Sequence, residues 1–370
     1  MEQTVFVTGA TGFIGRHLVV SLLERGCHVF ALVRAGRGLP AARRLARILE
    51  ITRGMPLSPE MTSNLEVIEG DLVAPYLGLN RGLQQRLAAE IGQIFHCGGD
   101  IRFQPEDRSA YRAVHLDGPT NVLRAMHRGR ELKFHHISTA YVAGRRSGIA
   151  YEEELDLGQT FRNPYEQIKL KAEQCIRKAC LDLGVHLAVF RPSIVVADPN
   201  APLSTWFDPI SARFADFARL CRLYRRRLRA GRRPLRIRGS GESSLNIVPV
   251  TYVVRAMLEA SDNGWQTAAT YHLVDSTPPK NCEVIRQVMD TLGISGLEPF
   301  EDRRLPMAGM TFWERKLDNL LRPYRDYLFE TPVFDDSNAR RLLSGKVEPR
   351  SGTALSLLAR AAAHNGGNGG

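Results

Sequence analysis

No apolar run among the 370 residues approaches the ~18 that a membrane-crossing helix requires. Six cysteines are present (27, 97, 175, 180, 221 and 282), with no Cys-x-x-Cys pair and no metal-ligand spacing. They read as reduced thiols, and no metal site is expected. The chain has no internal repeat, which argues against solenoid and propeller arrays. No signal peptide is expected, because the first apolar residues belong to a strand and helix, and the expected location is cytoplasmic. Acids are scarce in one place: from Arg213 to Arg238 eleven arginines face a single Asp216, and this segment supplies +10 of the net charge of +11. A basic balance so confined argues against a general affinity for nucleic acid. What remains is an apolar fraction of 44%, ordinary for a globular chain with a sizeable core.

The stretch TVFVTGATGFIGRHLVVSLLERG carries the clearest pattern. Thr4 to Thr8 is a β-branched and aromatic run that predicts a buried strand. Gly9, Gly12 and Gly15 then mark a turn, and Phe13 to Leu23 has the apolar period of a helix. Strand, glycine turn and helix together predict a dinucleotide-binding opening formed by Gly9, Thr11, Gly12, Phe13, Ile14 and Gly15. The helix N-terminus would offer its free N–H groups to the pyrophosphate. A second strand, His28 to Val33, closes on Arg34, where an acid would select NAD and an arginine suits the 2′-phosphate of NADP. Arg44 stands near enough to join it, whereas Arg43 reads as a solvated helix charge. After a third strand, Leu65 to Glu69, Asp71 and Leu72 are candidates for the adenine side. After a fourth, Gln93 to Cys97, Cys97 and Gly98 are expected to lie beside the cofactor.

A fifth strand, Lys133 to Ile137, delivers Thr139, and the segment NPYEQIK opens a long helix. Tyr165 and Lys169 are spaced i, i+4 and so share a helix face. A tyrosine gives up its proton readily only if its acidity is raised, and an ammonium one turn away is expected to do that. Thr139 supplies a hydroxyl for the carbonyl being reduced. A sixth strand, Leu187 to Phe190, ends at Arg191-Pro192-Ser193. The alternation of strands and helices predicts an α/β fold, a Rossmann-type doubly wound parallel sheet. Residues 1–200, with a return segment at about 240–275, are assigned to this domain. Residues 201–239 and 276–350 form a smaller, mostly helical substrate lobe with a basic lid helix, and 351–370 a C-terminal helix and disordered tail.

With these residues placed, the chain resembles the extended short-chain dehydrogenase/reductase superfamily over about residues 3 to 275, through TGATGFIG, STAYVAG, YEQIK and RPS. The resemblance implies Tyr165 as acid/base, Lys169 as its partner, Thr139 as the carbonyl-binding hydroxyl and Pro192-Ser193 beside the nicotinamide. Two departures stand out: glycines in Cys97-Gly98-Gly99-Asp100 where alanines are usual, and His115 and Pro119 in place of the usual asparagine and Gly-Thr step. A narrower resemblance, carried by NPYEQIKLKAE, NIVPVTYVVRAM and FDDSNARRLL, is to the fatty acyl-CoA reductase (male-sterility type) and thioester reductase branch. It implies NADPH-dependent reduction of an acyl thioester, on coenzyme A or an acidic carrier protein, to an aldehyde or alcohol. On this view the arginine-rich helix binds those partners or an anionic membrane surface, while its apolar stripe lines an acyl channel. The competing expectations are a dehydrogenase, reductase or epimerase of alcohols or ketones (sterol, dihydroflavonol-type or nucleotide-sugar) and a non-catalytic NADP-binding sensor or scaffold.

Overall fold

The computed structural model describes residues 3–36, 38–127, 129, 131–197, 216–217, 219–220, 223–224, 235–262, 269–292, 297–301 and 307–344. The first half alternates as expected: β1 Thr4–Thr8, α1 Phe13–Glu24, β2 His28–Val33, α2 Ala41–Arg53, α3 Pro59–Ser63, β3 Leu65–Glu69, α4 Arg81–Glu90 and β4 Gln93–His96. Then follow α5 Arg108–Arg112, α6 Gly118–Met126, β5 Lys133–Ile137, β6 Ile149–Ala150, α7 Pro164–Leu183, β7 His186–Pro192 and β8 Ile194–Val196. The remainder comprises β9 Leu235–Arg238, β10 Ile247–Pro249, α8 Val250–Asp262, β11 Ala269–Leu273, α9 Asn281–Leu292, β12 Leu297–Glu301, α10 Phe312–Leu321, β13 Val333–Phe334 and α11 Ser337–Leu342.

Seven strands form one parallel sheet in the order β11-β7-β5-β4-β1-β2-β3. Both faces are covered, which is why the strands read as near-continuous apolar runs. Val5, Val7, Val29 and Ala31 face α1, α2 and α8 through Leu18, Leu45 and Val253. Phe6, Phe30, Ile94 and Phe134 face α4, α6 and α7 through Leu87, Val122 and Ile176. The chain reverses its winding between β1 and β4, and ligands of open α/β sheets bind outside the strand ends at such a switch point.

The structure departs from expectation in four places. Strand β4 ends at His96, leaving Cys97 in the following loop. The helix expected around His115 is interrupted: α5 passes through a π-helical turn, Ala113–Asp117, before α6. Residues 333–344, assigned from sequence to the substrate lobe, pack on the sheet domain. There β13 pairs with β6, and Ala339 and Leu343 are buried in the same cluster as α1 and α8. Finally, the described residues of the basic segment are helical up to Tyr224 and form β9 from Leu235 to Arg238, and Phe217 and Tyr224 are buried against Leu235, Ile237, Ile285 and Leu317 in a separate small core. That part of the apolar stripe fills the lobe and does not line a channel. The other stripe residues, Phe214, Cys221 and Leu228, and the tail 351–370 lie outside the described residues.

A buried ion cluster ties α7 to β7. The Glu173 carboxylate receives Arg191 Nη2 at 2.7 Å and Nε at 3.0 Å, and Arg177 Nη2 at 2.7 Å. Burial works against the charge, but Arg191 and Arg177 prevail and hold the carboxyl down at about 2. A carboxyl depressed on folding contributes stability above its unfolded pKa near 4.5 and loses it as pH falls towards 2, here about 3 kcal/mol. In urea unfolding, the gap between wild type and Glu173→Gln is therefore widest at neutral pH and narrows on acidification. A gap independent of pH contradicts this account.

Candidate active site

The glycine turn is dictated by close packing at the switch point. Gly9 has φ +70°, and a Cβ on it would lie 2.6 Å from the Cys97 carbonyl carbon. A Cβ on Gly15 would meet Gly9 O at 2.1 Å. Gly12 N donates to Gly9 O at 2.8 Å, closing the turn, and no side chain caps α1. Phe13 and Ile14 pack their side chains on the core, so what they offer a ligand is the open first turn of the helix. Gly98 is less constrained: a Cβ would lie 2.5 Å from Leu72 Cδ1, the end of a side chain that can turn away.

Thr11, Arg34, Ala35, Arg44, Glu69, Gly70, Asp71, Ala74, Leu77 and Gly78 line a cleft of about 790 Å³ at the ends of β1, β2 and β3. Arg44 lies across Gly36, where a Cβ would sit 2.0 Å from Nη1, and its Nη2 donates to the Arg34 carbonyl. Arg43 is exposed, as expected of a solvated charge. Asp71 Oδ1 accepts from Val73 N at 3.1 Å, shaping its own loop. Glu69, missed in the sequence, brings a second carboxylate to this cleft and accepts from Ala41 N at 3.4 Å. Its signal was its position as the last residue of β3.

On the other side of the switch point, Thr139, Tyr165 and Lys169 converge. Asn163 caps α7 by accepting from Glu166 N at 3.0 Å, and the next turn carries Tyr165 and Lys169. Thr139 Oγ1 donates to Pro192 O at 3.3 Å, which joins the ends of β5 and β7. Burial pushes the half-buried Tyr165 phenol up to about 12, against the hydrogen bond of the Thr139 hydroxyl, which lowers it. Lys169 is buried, its Nζ donating to Ile137 O at 2.5 Å, and burial brings it down to about 8. The expected pull of Lys169 on the acidity of Tyr165 does not appear: burial and the Glu166 charge both hold the phenol up, and the hydrogen bond of Thr139 is what opposes them. Ser193, the residue after Pro192, has a buried hydroxyl with no partner among the described residues, as does Ser138.

The loop between β4 and α5 rests on groups that carry no obvious signal. Thr8 Oγ1 lies 2.9 Å from His96 Nδ1 and 3.3 Å from Gly98 N. Asn121 Nδ2 donates to Leu72 O at 2.9 Å. His115 Nε2 lies 2.9 Å from Asp100 O and 3.2 Å from Asp100 N, and burial lowers the ring to about 4, so it is neutral. A Cβ on Gly99 would approach His115 Cε1 to 3.2 Å. Two of the departures from the superfamily pattern thus meet here: the imidazole of His115 lies against Gly99, where a Cβ would fit only if the ring gave way by a few tenths of an ångström. Cys97 is a neutral thiol, pushed by burial up to about 12.

A glycine-walled switch point, an uncapped helix N-terminus and orphan hydroxyls beside Pro192 fit a dinucleotide, and the adjoining Tyr, Lys and Thr fit hydride chemistry at a carbonyl. Such a site is that of a dinucleotide-binding oxidoreductase. More particularly, residues 7–257 match the family of male sterility proteins, and the chain belongs to that family of NAD(P)-dependent oxidoreductases. It is 27% identical to the nonribosomal peptide synthetase asaC of Aspergillus flavus over 97% of this chain and 36% of that protein. It is also 27% identical to fatty acyl-CoA reductase 1 of Homo sapiens over 70% of this chain and 54% of that protein. The chain therefore spans about a third to a half of the length of these relatives. In fold it is similar to the terminal R domain of the myxalamid PKS-NRPS pathway, with a TM-score of 0.77, 24% identity and 99% and 91% of the two chains covered. A UDP-glucuronic acid 4-epimerase from Bacillus cereus, solved with NAD, gives a TM-score of 0.65 at 20% identity over 97% and 96%.

Proposed function

We propose that this chain is an NADPH-dependent reductase of acyl thioesters, presented on coenzyme A or a carrier protein, yielding an aldehyde or alcohol. The observation that carries the reading is the meeting of Thr139, Tyr165 and Lys169 at the strand ends beside the glycine turn, with the Arg34 and Arg44 cleft on its far side. Likeness to acyl-CoA reductases and to a peptide synthetase supports a thioester over a sugar or sterol. A non-catalytic sensor would have no need of the three aligned groups.

Gly9, Gly12 and Gly15 would hold the pyrophosphate, Arg34 and Arg44 the 2′-phosphate, Asp71 and Leu72 the adenine side, and Cys97, Gly98, Pro192 and Ser193 the nicotinamide side. When bound, NADPH supplies the hydride. Thr139 and Tyr165 hold the thioester carbonyl oxygen and stabilise the negative charge that develops on it. Tyr165 keeps its proton at neutral pH and donates it to that oxygen. Lys169, cationic below about 8, lends its charge to the oxyanion and orients the ribose. As the resulting hemithioacetal collapses, the Tyr165 phenolate takes that proton back while the carbon–sulfur bond breaks, and the aldehyde is released with a thiolate that takes its proton from solvent. For the basic segment we infer contact with coenzyme A phosphates, an acidic carrier protein or an anionic membrane. Arg236, which donates to Glu314 at 2.8 Å, and Arg238, 3.7 Å from Asp318, are given no part in that role. A panel of acyl-CoAs, carrier-bound thioesters, sugars and sterols, followed by NADPH oxidation, tests the reading. Turnover confined to sugars or sterols would sink it.

A further inference from the structure

Tyr327, from the segment that follows α10, reaches the first turn of α7. It is buried, and its hydroxyl accepts from Asn163 Nδ2 at 2.8 Å and donates to the Glu166 carboxylate. Asn163 is the N-cap of the helix that carries Tyr165, and Glu166 is the next residue after that tyrosine. The Arg162 guanidinium lies 5.1 Å from the Tyr327 ring centre. Arg162 N donates to Glu166 Oε2 at 2.8 Å, and its Nη1 lies 3.3 Å from Glu166 Oε1, with both side chains almost wholly enclosed. The same Nη1 donates to Gly144 O at 2.7 Å, at the end of the Thr139 loop, and Nη2 donates to Glu330 O at 2.7 Å. Three segments meet at one point: the Thr139 loop, the start of the Tyr165 helix and the C-terminal strap. Phe103 packs alongside, with its ring 5.7 Å from Tyr165 and 5.8 Å from Tyr327.

We propose that Tyr327 is a positioning residue: by locking Asn163, Glu166 and Arg162 it sets the Tyr165 phenol against the Thr139 hydroxyl. The proposal rests on the catalytic reading of Tyr165. A buried, charge-assisted network of this kind is high in stakes, because removing one hydroxyl leaves the others partly unsatisfied. An ångström of displacement at a reacting group costs about 100-fold in rate. None of these groups lies at the glycine turn or the arginine cleft, so cofactor affinity should be spared.

The test compares Tyr327→Phe and Glu166→Gln with wild type in steady-state turnover, NADPH binding and amide hydrogen exchange. The expected result is a kcat at least about tenfold lower, with KM for the thioester and Kd for NADPH moved less than about threefold. Faster exchange should be confined to the amides of residues 162–168. A role in stability alone would lower the melting temperature while leaving kcat of the folded enzyme and that local exchange unchanged, and this outcome overturns the proposal. If wild type reduces a ketone or aldehyde but no thioester, the substrate reading falls, and the same kcat comparison with that carbonyl still judges Tyr327. If no substrate turns over, unchanged exchange at residues 162–168 overturns the proposal and faster exchange there supports it.

Discussion

Replacing Tyr165 by phenylalanine is expected to lower thioester reduction by about three orders of magnitude while leaving NADPH affinity within about threefold of wild type. The phenol is hydrogen-bonded to the Thr139 hydroxyl. Burial holds it up at about 12, so it stays loaded at neutral pH. Phenylalanine keeps the ring that packs against Phe103 and removes only the hydroxyl. Lys169, drawn down to about 8 by burial, is charged below that value and loses its charge as pH rises through it. Wild-type kcat should accordingly decline above about pH 8 as electrostatic support for the oxyanion is lost. Loss of cofactor binding in Tyr165→Phe, or retained turnover, contradicts the role assigned to the phenol.

The double variant Arg34→Ala/Arg44→Ala is expected to weaken NADPH by about a thousandfold and NADH by no more than about threefold. Two charge-assisted contacts to one phosphate, each contributing ~1.5–3 kcal/mol, set that scale. Arg44 is held in place by its bond to the Arg34 carbonyl and by the bare backbone of Gly36, so the two arginines act as one device. With both gone, the cleft keeps the Glu69 and Asp71 carboxylates, which repel a 2′-phosphate and accept from a ribose hydroxyl. Equal weakening of the two cofactors in a fluorescence titration would show that discrimination lies elsewhere.

The sheet was legible because its strands are short apolar runs bracketed by turns, and β1, β2, β3 and β5 fall on the residues expected. Gly9, Gly12 and Gly15 were legible because close backbone approach admits nothing larger, as the 2.1 Å clash at Gly15 makes plain. Tyr165 and Lys169 share a helix face by their spacing, and their place after TGATGFIG and the Ser138-Thr139 strand end is what singles them out. What sequence could not supply is contact between distant segments. Glu69 reads as an ordinary strand-end acid until α2 places Ala41 beside it. Tyr327 lies 164 residues from Asn163, and no local pattern links them. The FDDSNARRLL segment was noticed but placed in the lobe. It belongs to the sheet domain because buried Glu152 accepts from Asn338 N and Ala339 N at the start of α11, at 2.6 and 3.2 Å. The acidity of Tyr165 was misjudged because spacing reveals a neighbouring charge but not how dry the site is.

The central claim is that a carbon–sulfur bond breaks at this site. The most direct measurement follows free thiol and NADPH together in one reaction, with an acyl-CoA and with the same acyl group on a carrier protein. One thiol released for each NADPH consumed is predicted if reduction stops at the aldehyde, and one for every two if it continues to the alcohol, with both signals lost in Tyr165→Phe. NADPH oxidation without any thiol release, sustained by a ketone or a sugar, would contradict the account.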